Sequence, residues 1–369
     1  MEEKNEPSSV AVSEQDDANL QQEAPGNTEV SVTSMVDELS VALESAIGEI
    51  HAVNSETKVL SLNARIEAAR AGAHGAAFGV VAEEMQSLSE KTEQIASVMA
   101  NRTREKTGEL MSMIDSTVRG TRLSDLALVN VDLIDRNLFE RTCDVRWWAT
   151  DGSIVDALAD PTPEKLDFAS KRMGVILSAY TVYHDLVLAN SKGQIVANGF
   201  PKQYSSSGQD VGSADWFRQA IQSSSGDEWG FQTAHLSRLV DQKPSLVYSA
   251  SVRTDGDQRG TALGALGVIF NWSDLAGPIL KDIPVSSHEE TTTRAFIADG
   301  SGKVLASREN EKIGDSVPIP EFQRVLSADK GFYITTYEET KLCVGHAKAP
   351  SFEGYSTGWY SIVAQPLVD

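Results

Sequence analysis

Cysteine is nearly absent from this chain, which holds only Cys143 and Cys343 among its 369 residues. The two cysteines lie far apart in the sequence, and neither belongs to a CxxC motif or a Cys/His cluster. The six histidines are also scattered, without the spacing of zinc or haem ligands. The sequence therefore predicts no disulfide framework, no metal site and no bound cofactor.

Basic residues and long apolar runs are also scarce. The formal net charge is −21, which argues against nucleic acid or an anionic membrane surface as a partner, because both require a basic face. No segment approaches the roughly 18 consecutive apolar residues that indicate a membrane span. The opening residues, MEEKNEPSSVAVSEQDD, are acidic and lack the apolar region of a secretory signal. We therefore expect a soluble cytoplasmic protein without a membrane span.

The sequence motifs of common enzymes are missing as well. The chain contains no GxSxG nucleophile motif, no phosphate-binding P-loop and no paired-carboxylate motif. The sequence therefore predicts a protein that is not an enzyme.

The N-terminal residues 1–31 differ in composition from the rest of the chain. They are rich in Glu, Asp, Gln, Ser and Asn and contain almost no large apolar side chains. Such a segment cannot bury enough apolar surface to offset the entropy lost on ordering. We therefore predict a disordered acidic tail.

Residues 32–107 carry two apolar heptad patterns separated by a reversal. Apolar or small residues recur at steps of three and four, as in a coiled-coil seam. They are Val36, Leu39, Leu43, Ala46, Ile50, Val53, Thr57, Leu60 and Ala64, and then Phe78, Val81, Met85, Leu88, Thr92, Ile95 and Met99. Between them, Gly72 and Gly75 relieve the backbone at a turn within residues 71–75. The pattern predicts an α-helical antiparallel coiled-coil hairpin. Because two helices alone cannot bury such a seam, we expect a homodimer in which two hairpins form a four-helix bundle.

Helical periodicity continues more loosely through residues 108–148. We interpret this stretch as a connector that also serves as the leading helix of a second domain. From residue 149 the composition shifts towards Gly, Ser, aromatic and β-branched residues. Residues 149–369 are therefore predicted to form a separate domain carried on that helix.

An internal repeat divides this second domain. The segments LVLANSKGQIVAN (Leu186–Asn198) and AFIADGSGKVLAS (Ala295–Ser307) align without a gap, each as a strand, a glycine turn and a second strand. Each copy is followed by a short predicted helix and a strand-rich tail. The repeat predicts two tandem α+β modules, at residues 149–280 and 281–369.

The hairpin resembles the signalling tip of methyl-accepting chemotaxis proteins. The resemblance rests on Asn63-Ala64, Ile66–Gly72, Gly75, Phe78 and Val80–Glu84, which fall where that family's tip motif has them. In that family the tip docks a coupling adaptor and the chemotaxis histidine kinase. Carried over position by position, the resemblance implies partner contacts at Asn63, Ile66, Glu67, Arg70 and Val81. Without it, Glu67 and Arg70 would be interpreted as an ordinary surface pair at i,i+3 spacing.

Three places in the hairpin depart from the family pattern, at Arg65, Ala76-Ala77 and Ser55. The coiled coil is also too short to hold the family's long adaptation arms. We therefore predict no methylation. The three departures from the family pattern are expected to affect packing into receptor arrays more than formation of the hairpin itself.

The C-terminal half resembles a double Cache sensor, the tandem PAS-like domain of bacterial receptors. The resemblance rests on Val145–Trp148, the repeated strand–turn–strand, Asp215–Phe217 and Gly354–Tyr360. It implies two PAS-like modules on a long helix, with a small ligand bound in the first. The candidate ligand contacts are Tyr204, Asp215, Trp216, Phe217, Trp229 and Tyr248, since aromatic side chains give a small pocket most of its buried area. Each of these residues is equally consistent with ordinary core packing.

One position bears on the ligand class. The amino-acid-binding version of the fold places an arginine two residues before the helix tryptophan, and Ala214 stands there in this chain. The resemblance therefore does not support an α-carboxylate clamp at that position. Arg218 and Arg238 are substitutes that the sequence leaves open.

Two functions follow from these patterns. The first is a chemoreceptor-like signal transducer that senses a small ligand through its Cache domain and controls a chemotaxis-type histidine kinase through its hairpin tip. The alternative is a stand-alone small-molecule-binding protein whose hairpin serves only dimerisation. The detailed tip motif favours the transducer, whereas the missing adaptation arms favour the alternative.

Overall fold

The computed structural model describes residues 32–367 and divides the chain into two compact units, one up to Ile114 and one from Asp115 onward. The predicted acidic tail, residues 1–31, lies outside the described residues. Within residues 32–367, none of the helices combines the length and apolar content that a membrane crossing requires.

The first unit is the predicted antiparallel helical hairpin. Helix α1 spans Val32–Arg70, a 3-10 turn spans Gly72–Gly75, and helix α2 spans Ala76–Trp148. Helix α2 therefore contributes residues to both units.

The reversal between the arms depends on two glycines. Gly72 has a φ of +58°, a left-handed conformation that favours glycine. A Cβ on Gly75 would lie 2.2 Å from the carbonyl oxygen of Ala68. Any larger residue at Gly75 would therefore force the two arms apart at the turn.

The two arms contact one another along a line of mostly small and polar side chains. Its buried members recur every seven positions, as Ile47, Asn54, Ser61 and Ala68 before the turn and as Gly75, Ala82, Ser89 and Ala96 after it. Small side chains allow two helix axes to approach closely. The predicted seam is therefore only partly right for a single chain, because most of its large apolar residues lie beside this line.

These exposed apolar residues form what we call the outer stripe. Its members are Leu39, Ile50, Val53 and Leu60 on α1, and Phe78, Val81, Leu88, Ile95 and Met99 on α2. Their exposed fractions run from 39 % at Ile50 to 72 % at Phe78. A helix with two neighbours buries two adjacent stripes, and the sequence does not say which stripe contacts the chain's own return arm.

In the second unit, α2 buries one face against the two sheets. Its fully buried residues follow helical spacing and are Leu123, Ala127, Val131, Ile134, Leu138 and Val145. A Cβ on Gly345, in the second sheet, would lie 2.4 Å from the backbone of Leu123. Glycine at this strand position therefore lets the sheet contact the helix directly.

Two short helices follow α2, namely α3 (Gly152–Ala159) and α4 (Pro163–Ala179). Each begins at a residue whose side chain accepts a hydrogen bond from the first turn, Asp151 from the Ser153 amide and Thr162 from the Lys165 amide. These caps explain why both helices begin where they do.

The first sheet contains five antiparallel strands in the order β2-β1-β5-β4-β3. The elements are β1 (Tyr183–Asn190), β2 (Ile195–Asn198), α5 (Asp215–Gln222), β3 (Gly230–Ser237), β4 (Lys243–Arg253), β5 (Ala262–Asn271) and α6 (Trp272–Lys281). Helix α5 connects the β1–β2 hairpin to the β3–β5 meander.

The second sheet has the order β7-β6-β10-β9-β8, the same as the first when each strand is replaced by its counterpart. Its elements are β6 (Arg294–Ala298), β7 (Val304–Ser307), a 3-10 helix (Phe322–Ser327), β8 (Lys330–Tyr337), β9 (Thr340–Lys348) and β10 (Tyr360–Pro366). The predicted pair of α+β modules on a long helix is confirmed, although the short helix of the second is 3-10.

Three apolar cores hold this unit together. The largest joins α2, α3 and α4 to one face of each sheet, which we call the inner face. Two smaller cores cover the outer faces, one under α5 and one under the 3-10 helix of the second module. The face a strand residue occupies therefore decides which core it joins.

Candidate functional site

The five predicted partner-binding residues lie on the surface near the hairpin turn. Asn63, Ile66, Glu67 and Arg70 are exposed on the last turns of α1, and Val81 is exposed on the second turn of α2. Glu67 accepts a hydrogen bond from Arg70 at 2.7 Å, and both side chains are more than two-thirds exposed. The contact line between the arms uses none of these five side chains.

A polar layer lies farther from the turn, between the two arms. The Asn54 amide donates to the Ser89 carbonyl oxygen and to Glu93 Oε2, both at 2.9 Å, and the Ser89 hydroxyl donates to Asn54 Oδ1 at 2.8 Å. His51 Nδ1 lies 3.0 Å from Glu93 Oε1. The hydrogen bonds from Asn54 and then His51 lower the pKa of Glu93 below its ordinary value. These hydrogen bonds fix which residues of the two arms lie opposite each other.

A groove of about 580 Å³ runs beside this polar layer. Its apolar rim includes Ile50, Val53 and Leu88 of the outer stripe, and its polar floor includes Asn54 and Ser89. The heptad pattern of the sequence predicted the apolar rim, but the polar residues of the floor were not identified. The signal that could have identified them is the occurrence of Asn and Ser at seven-residue spacing.

Four of the six predicted ligand residues lie on the outer side of the first sheet. Tyr204, Trp216 and Phe217 are buried in the outer core beneath α5. Asp215 is instead exposed at the start of α5 and pairs with Arg218 at 2.5 Å. The Tyr204 hydroxyl accepts hydrogen bonds from Gln203 and from Lys243, each at 2.9 Å. The aromatic members of this group therefore form one packed cluster.

The other two predicted ligand residues lie on the opposite side of the sheet. Tyr248 is fully buried in the inner core, with its hydroxyl 2.7 Å from that of Tyr355 in the second module. The Trp229 ring stacks 5.6 Å from Tyr355 and 6.0 Å from Tyr248. Because neighbouring strand residues point to opposite faces, Tyr248 points away from α5 whereas Val247 points towards it. Tyr248 and Trp229 thus link the two modules and do not join the cluster beneath α5.

A cavity of about 220 Å³ opens between α5, β3 and β4. It is lined by Val211, Ser213, Ala214, Trp216, Gln232, His235, Ser237, Arg238, Leu239 and Val247. Of the six predicted ligand residues, only Trp216 contributes to this lining. None of the described residues that line the cavity is an aspartate or glutamate.

The polar side chains of this cavity include one cation, Arg238, and no carboxylate among the described residues. The Arg238 guanidinium donates to the Asp210 carbonyl oxygen, and a guanidinium has further N–H groups to offer. His235 Nδ1 lies 2.8 Å from the Thr233 carbonyl oxygen, so this nitrogen carries the proton. No side chain caps α5, whose N-cap residue is Ala214. Gln232 also lines the cavity, and its buried Oε1 atom accepts no hydrogen bond from the described residues.

Gln232 and His235 were missed at the level of sequence. They lie on β3, whose place at the edge of the sheet depends on pairing with β4 alone. The sequence spacing of Gln232 and His235 does not indicate a cavity, because the residues that lie next to them in the fold come from α5 and from residues 238–240. Of the polar residues that line the cavity, only Arg238 had been left open as a candidate by the sequence.

A buried carboxylate holds the segment that leads to Tyr204. Asp185 accepts hydrogen bonds from the Leu186 amide at 2.9 Å, the Phe200 amide at 3.0 Å and the Asn198 side chain at 2.8 Å. Asn198 also donates to the Tyr204 carbonyl oxygen at 3.2 Å. Burial raises the pKa of Asp185 to about 6, although these hydrogen bonds act in the opposite direction. A polar residue within an apolar strand was the only sequence signal for this arrangement.

Potential metal ligands do not cluster in the described part of the chain. Residues 32–367 contain no group of three or more His, Cys, Asp or Glu side chains arranged to hold a metal ion. The free thiols are Cys143, which is exposed, and Cys343, which is buried.

Comparison with known proteins agrees with both halves of the architecture. Residues 8–126 match the methyl-accepting chemotaxis protein (MCP) signalling domain. Over 80 residues the chain is 40 % identical to the methyl-accepting chemotaxis protein CtpM of Pseudomonas aeruginosa, a match that covers 22 % of this chain and 12 % of that relative. It is 42 % identical over 73 residues to CtpL of the same organism, covering 20 % and 11 %. The matches therefore span only a small fraction of these relatives.

The sensor half matches over a longer stretch. The ligand-binding domain of the Campylobacter jejuni chemoreceptor Tlp3, solved with 4-methylisoleucine, superposes with a TM-score of 0.51 at 14 % identity, covering 67 % of this chain and 90 % of that one. At this identity the likeness concerns the fold alone. Residues 76–369 match the Cache domain, which is most of the chain. The protein therefore belongs to the Cache domain family and carries an MCP signalling domain ahead of its sensor.

Proposed function

We propose that the protein is a cytoplasmic chemoreceptor-type transducer, which senses a small ligand in its first Cache module and controls a chemotaxis-type histidine kinase through the hairpin tip. The observation that carries the proposal is the set of side chains around the turn. The reversal itself requires only Gly72, Gly75 and small residues such as Ala68. The exposed residues around the turn are not needed to form it.

The tip surface has the composition of a docking site. Ile66 and Val81 are 46 % and 57 % exposed, so they add apolar area that a partner would cover. Glu67 and Arg70 add a charged pair next to that area. An exposed i,i+3 pair stabilises its own helix by only about 0.3–0.5 kcal/mol. Hairpin stability alone thus gives little reason for this combination, whereas binding of a kinase and its coupling adaptor accounts for it.

A homodimer is the second part of the proposal. The outer stripe leaves nine apolar side chains exposed along the two arms. A second copy of the hairpin would bury the rest of this stripe, leaving Val81 near the tip for the kinase or its adaptor, and would generate a four-helix bundle. The groove rimmed by Ile50, Val53 and Leu88 would then receive side chains of that copy.

Signal transfer in this proposal uses α2, which contributes residues to both units. Ligand binding in the first module would favour one of two arrangements of the sensor core around α2. The size of the response is bounded by the difference in ligand affinity between these two states.

The proposal is tested by co-purification of the tagged protein from its native cells. The wild-type chain should retain the chemotaxis histidine kinase or its coupling adaptor, and Glu67→Ala should lose both. Glu109→Ala is the matched control, because Glu109 forms a second exposed i,i+3 pair, with Lys106, also at 2.7 Å. Circular dichroism and sedimentation should be the same for all three proteins.

Two outcomes would contradict the proposal. If Glu67→Ala and Glu109→Ala reduce retention equally, or if Glu67→Ala loses helicity, the tip pair has a structural role. If wild type retains neither the kinase nor the adaptor, the stand-alone ligand-binding protein with a dimerising hairpin becomes the better account.

A further inference from the structure

The formal charge that lines the cavity beneath α5 is positive, because Arg238 is present and no described lining residue is acidic. It is small, at about 220 Å³, and its apolar wall is formed by Trp216, Leu239 and Val247. The remaining lining offers a guanidinium, hydroxyls and an imidazole. A cavity with this lining favours a ligand that carries negative charge.

The positive charge at the cavity comes from Arg238. Of the two arginines that the sequence left open, Arg218 pairs with Asp215 and does not line the cavity. Arg238 does line it, and among the described residues its guanidinium donates to a backbone carbonyl and forms no ion pair with a carboxylate. Its other N–H donors are therefore left for the carboxylate of a ligand.

The start of α5 adds to this potential. Ser213 and Ala214 line the cavity directly before the helix, and Ala214 provides no side-chain cap. The first amide groups of a helix lack intrahelical acceptors and favour an anion at that end. Arg238 and the helix N-terminus therefore favour the same charge at the same cavity.

The remaining group calls for a donor on the ligand. The Oε1 atom of Gln232 is buried and accepts no hydrogen bond. A buried acceptor without a partner costs about 1–3 kcal/mol, so a ligand hydroxyl placed there would be favourable. An ammonium group would be a poor substitute, because none of the described lining residues is acidic and a cation would remain without a counter-charge.

We propose that this cavity selects small hydroxycarboxylates over zwitterionic amino acids, with Arg238 holding the carboxylate and Gln232 accepting from the hydroxyl. The inference rests on the proposed ligand-sensing role of the first module and specifies its ligand class. It assigns specificity to residues of β3 and of the segment after it, since α5 lacks an arginine two residues before Trp216.

The test is isothermal titration of the full-length protein with four probes. L-lactate and L-alanine differ only in hydroxyl against ammonium, propionate lacks both groups, and inorganic phosphate tests for a general anion site. L-lactate should bind at least about tenfold more tightly than each of the other three, the change expected from one charged or buried hydrogen bond. Equal or tighter binding of L-alanine or phosphate, or no binding of any probe, would overturn the assignment.

Three variants locate the contacts. Arg238→Gln should weaken L-lactate binding at least about tenfold, and Gln232→Leu should remove the difference between L-lactate and propionate. Arg218→Gln, a matched arginine on α5 that pairs outside the cavity, should bind like wild type. Weakening by Arg218→Gln but not by Arg238→Gln would also overturn the assignment. Thermal midpoints without ligand show whether each variant is folded.

The failure of this inference differs from a failure of the proposed function. If L-alanine binds, and a Trp216→Ala variant whose thermal midpoint shows it to be folded does not bind it, the first module senses a small ligand but not the class assigned here. If no probe binds and the kinase still co-purifies, hydroxycarboxylate recognition is wrong and the transducer role stands. Loss of kinase retention with intact L-lactate binding would instead reject only the transducer role.

Discussion

The two modules of the sensor share one strand order but differ in the segment that covers the outer face of the sheet. In the first module this segment forms α5 and leaves a cavity next to Trp216. In the second it forms a 3-10 helix whose Arg324 stacks 4.9 Å from the Tyr333 ring, while the Tyr333 hydroxyl donates to the Pro320 carbonyl oxygen. The strand order is thus shared, and the crossing segment decides whether a cavity remains on the outer face or that face is filled by the segment's own side chains.

The largest expected effect concerns the outer cores themselves. Trp216 is 2 % exposed, so Trp216→Ala should lower the free energy of unfolding of the first module by about 3–5 kcal/mol. Val325 is fully buried at the corresponding place in the second module, and Val325→Ala should cost about 2 kcal/mol. Hydrogen exchange measured by mass spectrometry on β4 and β9 peptides should assign each loss to its own module. Equal acceleration of exchange in both modules by either variant would show that the outer cores are not separate.

A second contrast lies one residue before the aligned repeat segments, where the first module has Asp185 and the second has Arg294. Arg294 pairs with Glu309 at 3.0 Å and Glu311 at 3.1 Å, whereas Asp185 is fully buried and, within residues 32–367, accepts from amide groups and pairs with no cation. Since burial raises the pKa of Asp185 to about 6, the folded state binds a proton that the unfolded state releases near pH 4. The first module should therefore lose stability as pH rises from 4 to 7, by roughly 3 kcal/mol.

The check is the pH dependence of denaturant unfolding in wild type and Asp185→Asn. The variant should lack the fall between pH 4 and 7. Asp299→Asn is the control, since Asp299 aligns with Asn190 of the first module and accepts from the Ser301 and Lys303 amides. Although burial raises the pKa of Asp299, these hydrogen bonds lower it below the ordinary value, so its stability contribution is lost on acidification. A fall between pH 4 and 7 that persists in Asp185→Asn would assign it to another group.

The contact between the modules should respond more weakly. Tyr248→Phe or Tyr355→Phe leaves one buried hydroxyl unpaired across the 2.7 Å contact, and each should cost about 1–2 kcal/mol. The double variant should cost less than the two single variants added together, because neither hydroxyl is then left alone. Strict additivity in this double-mutant cycle, measured by denaturant unfolding, would mean that the two hydroxyls do not interact.

The smallest effect is expected at the exposed ion pairs of the two crossing segments. Asp215 and Arg218 are 2.5 Å apart in the first module, and Glu321 and Arg324 are 3.1 Å apart in the second. Exposed pairs contribute about 0–1 kcal/mol, so Arg218→Gln should change the free energy of unfolding by less than about 0.5 kcal/mol. Arg324→Gln should cost slightly more, because its guanidinium also covers Tyr333. A larger loss in Arg218→Gln than in Arg324→Gln would reverse this order.

The sequence predicted those structural features whose signals lie in neighbouring residues. The hairpin and the repeat were predictable because heptads, turn glycines and the LVLANSKGQIVAN and AFIADGSGKVLAS segments are written in neighbouring residues. Tyr248 was grouped with the ligand candidates, but strand alternation points it towards Tyr355 rather than Trp216, which the sequence alone did not indicate. Gln232 was not found because its role depends on α5 and on residues 238–240, which only the folded sheet brings near it.

The contact line of the hairpin was missed for a different reason. Asn54, Ser61 and Ser89 are buried there, although polar residues are seldom expected at an interhelical seam. Large apolar residues on the adjacent stripe gave the stronger heptad, and the sequence does not distinguish an arm's own partner from a neighbour supplied by another chain.

This contact line also makes the hairpin sensitive to how much protein is present. Asn54, Ser61 and Ser89 contribute little apolar burial between the arms, so in the proposed homodimer the helices would depend on the second copy to cover the outer stripe. By mass action, the thermal midpoint of the hairpin should then rise with protein concentration, while that of the sensor stays constant. At protein concentrations below the dimer dissociation constant, the sensor would remain folded while the hairpin joined to it would be weakly ordered.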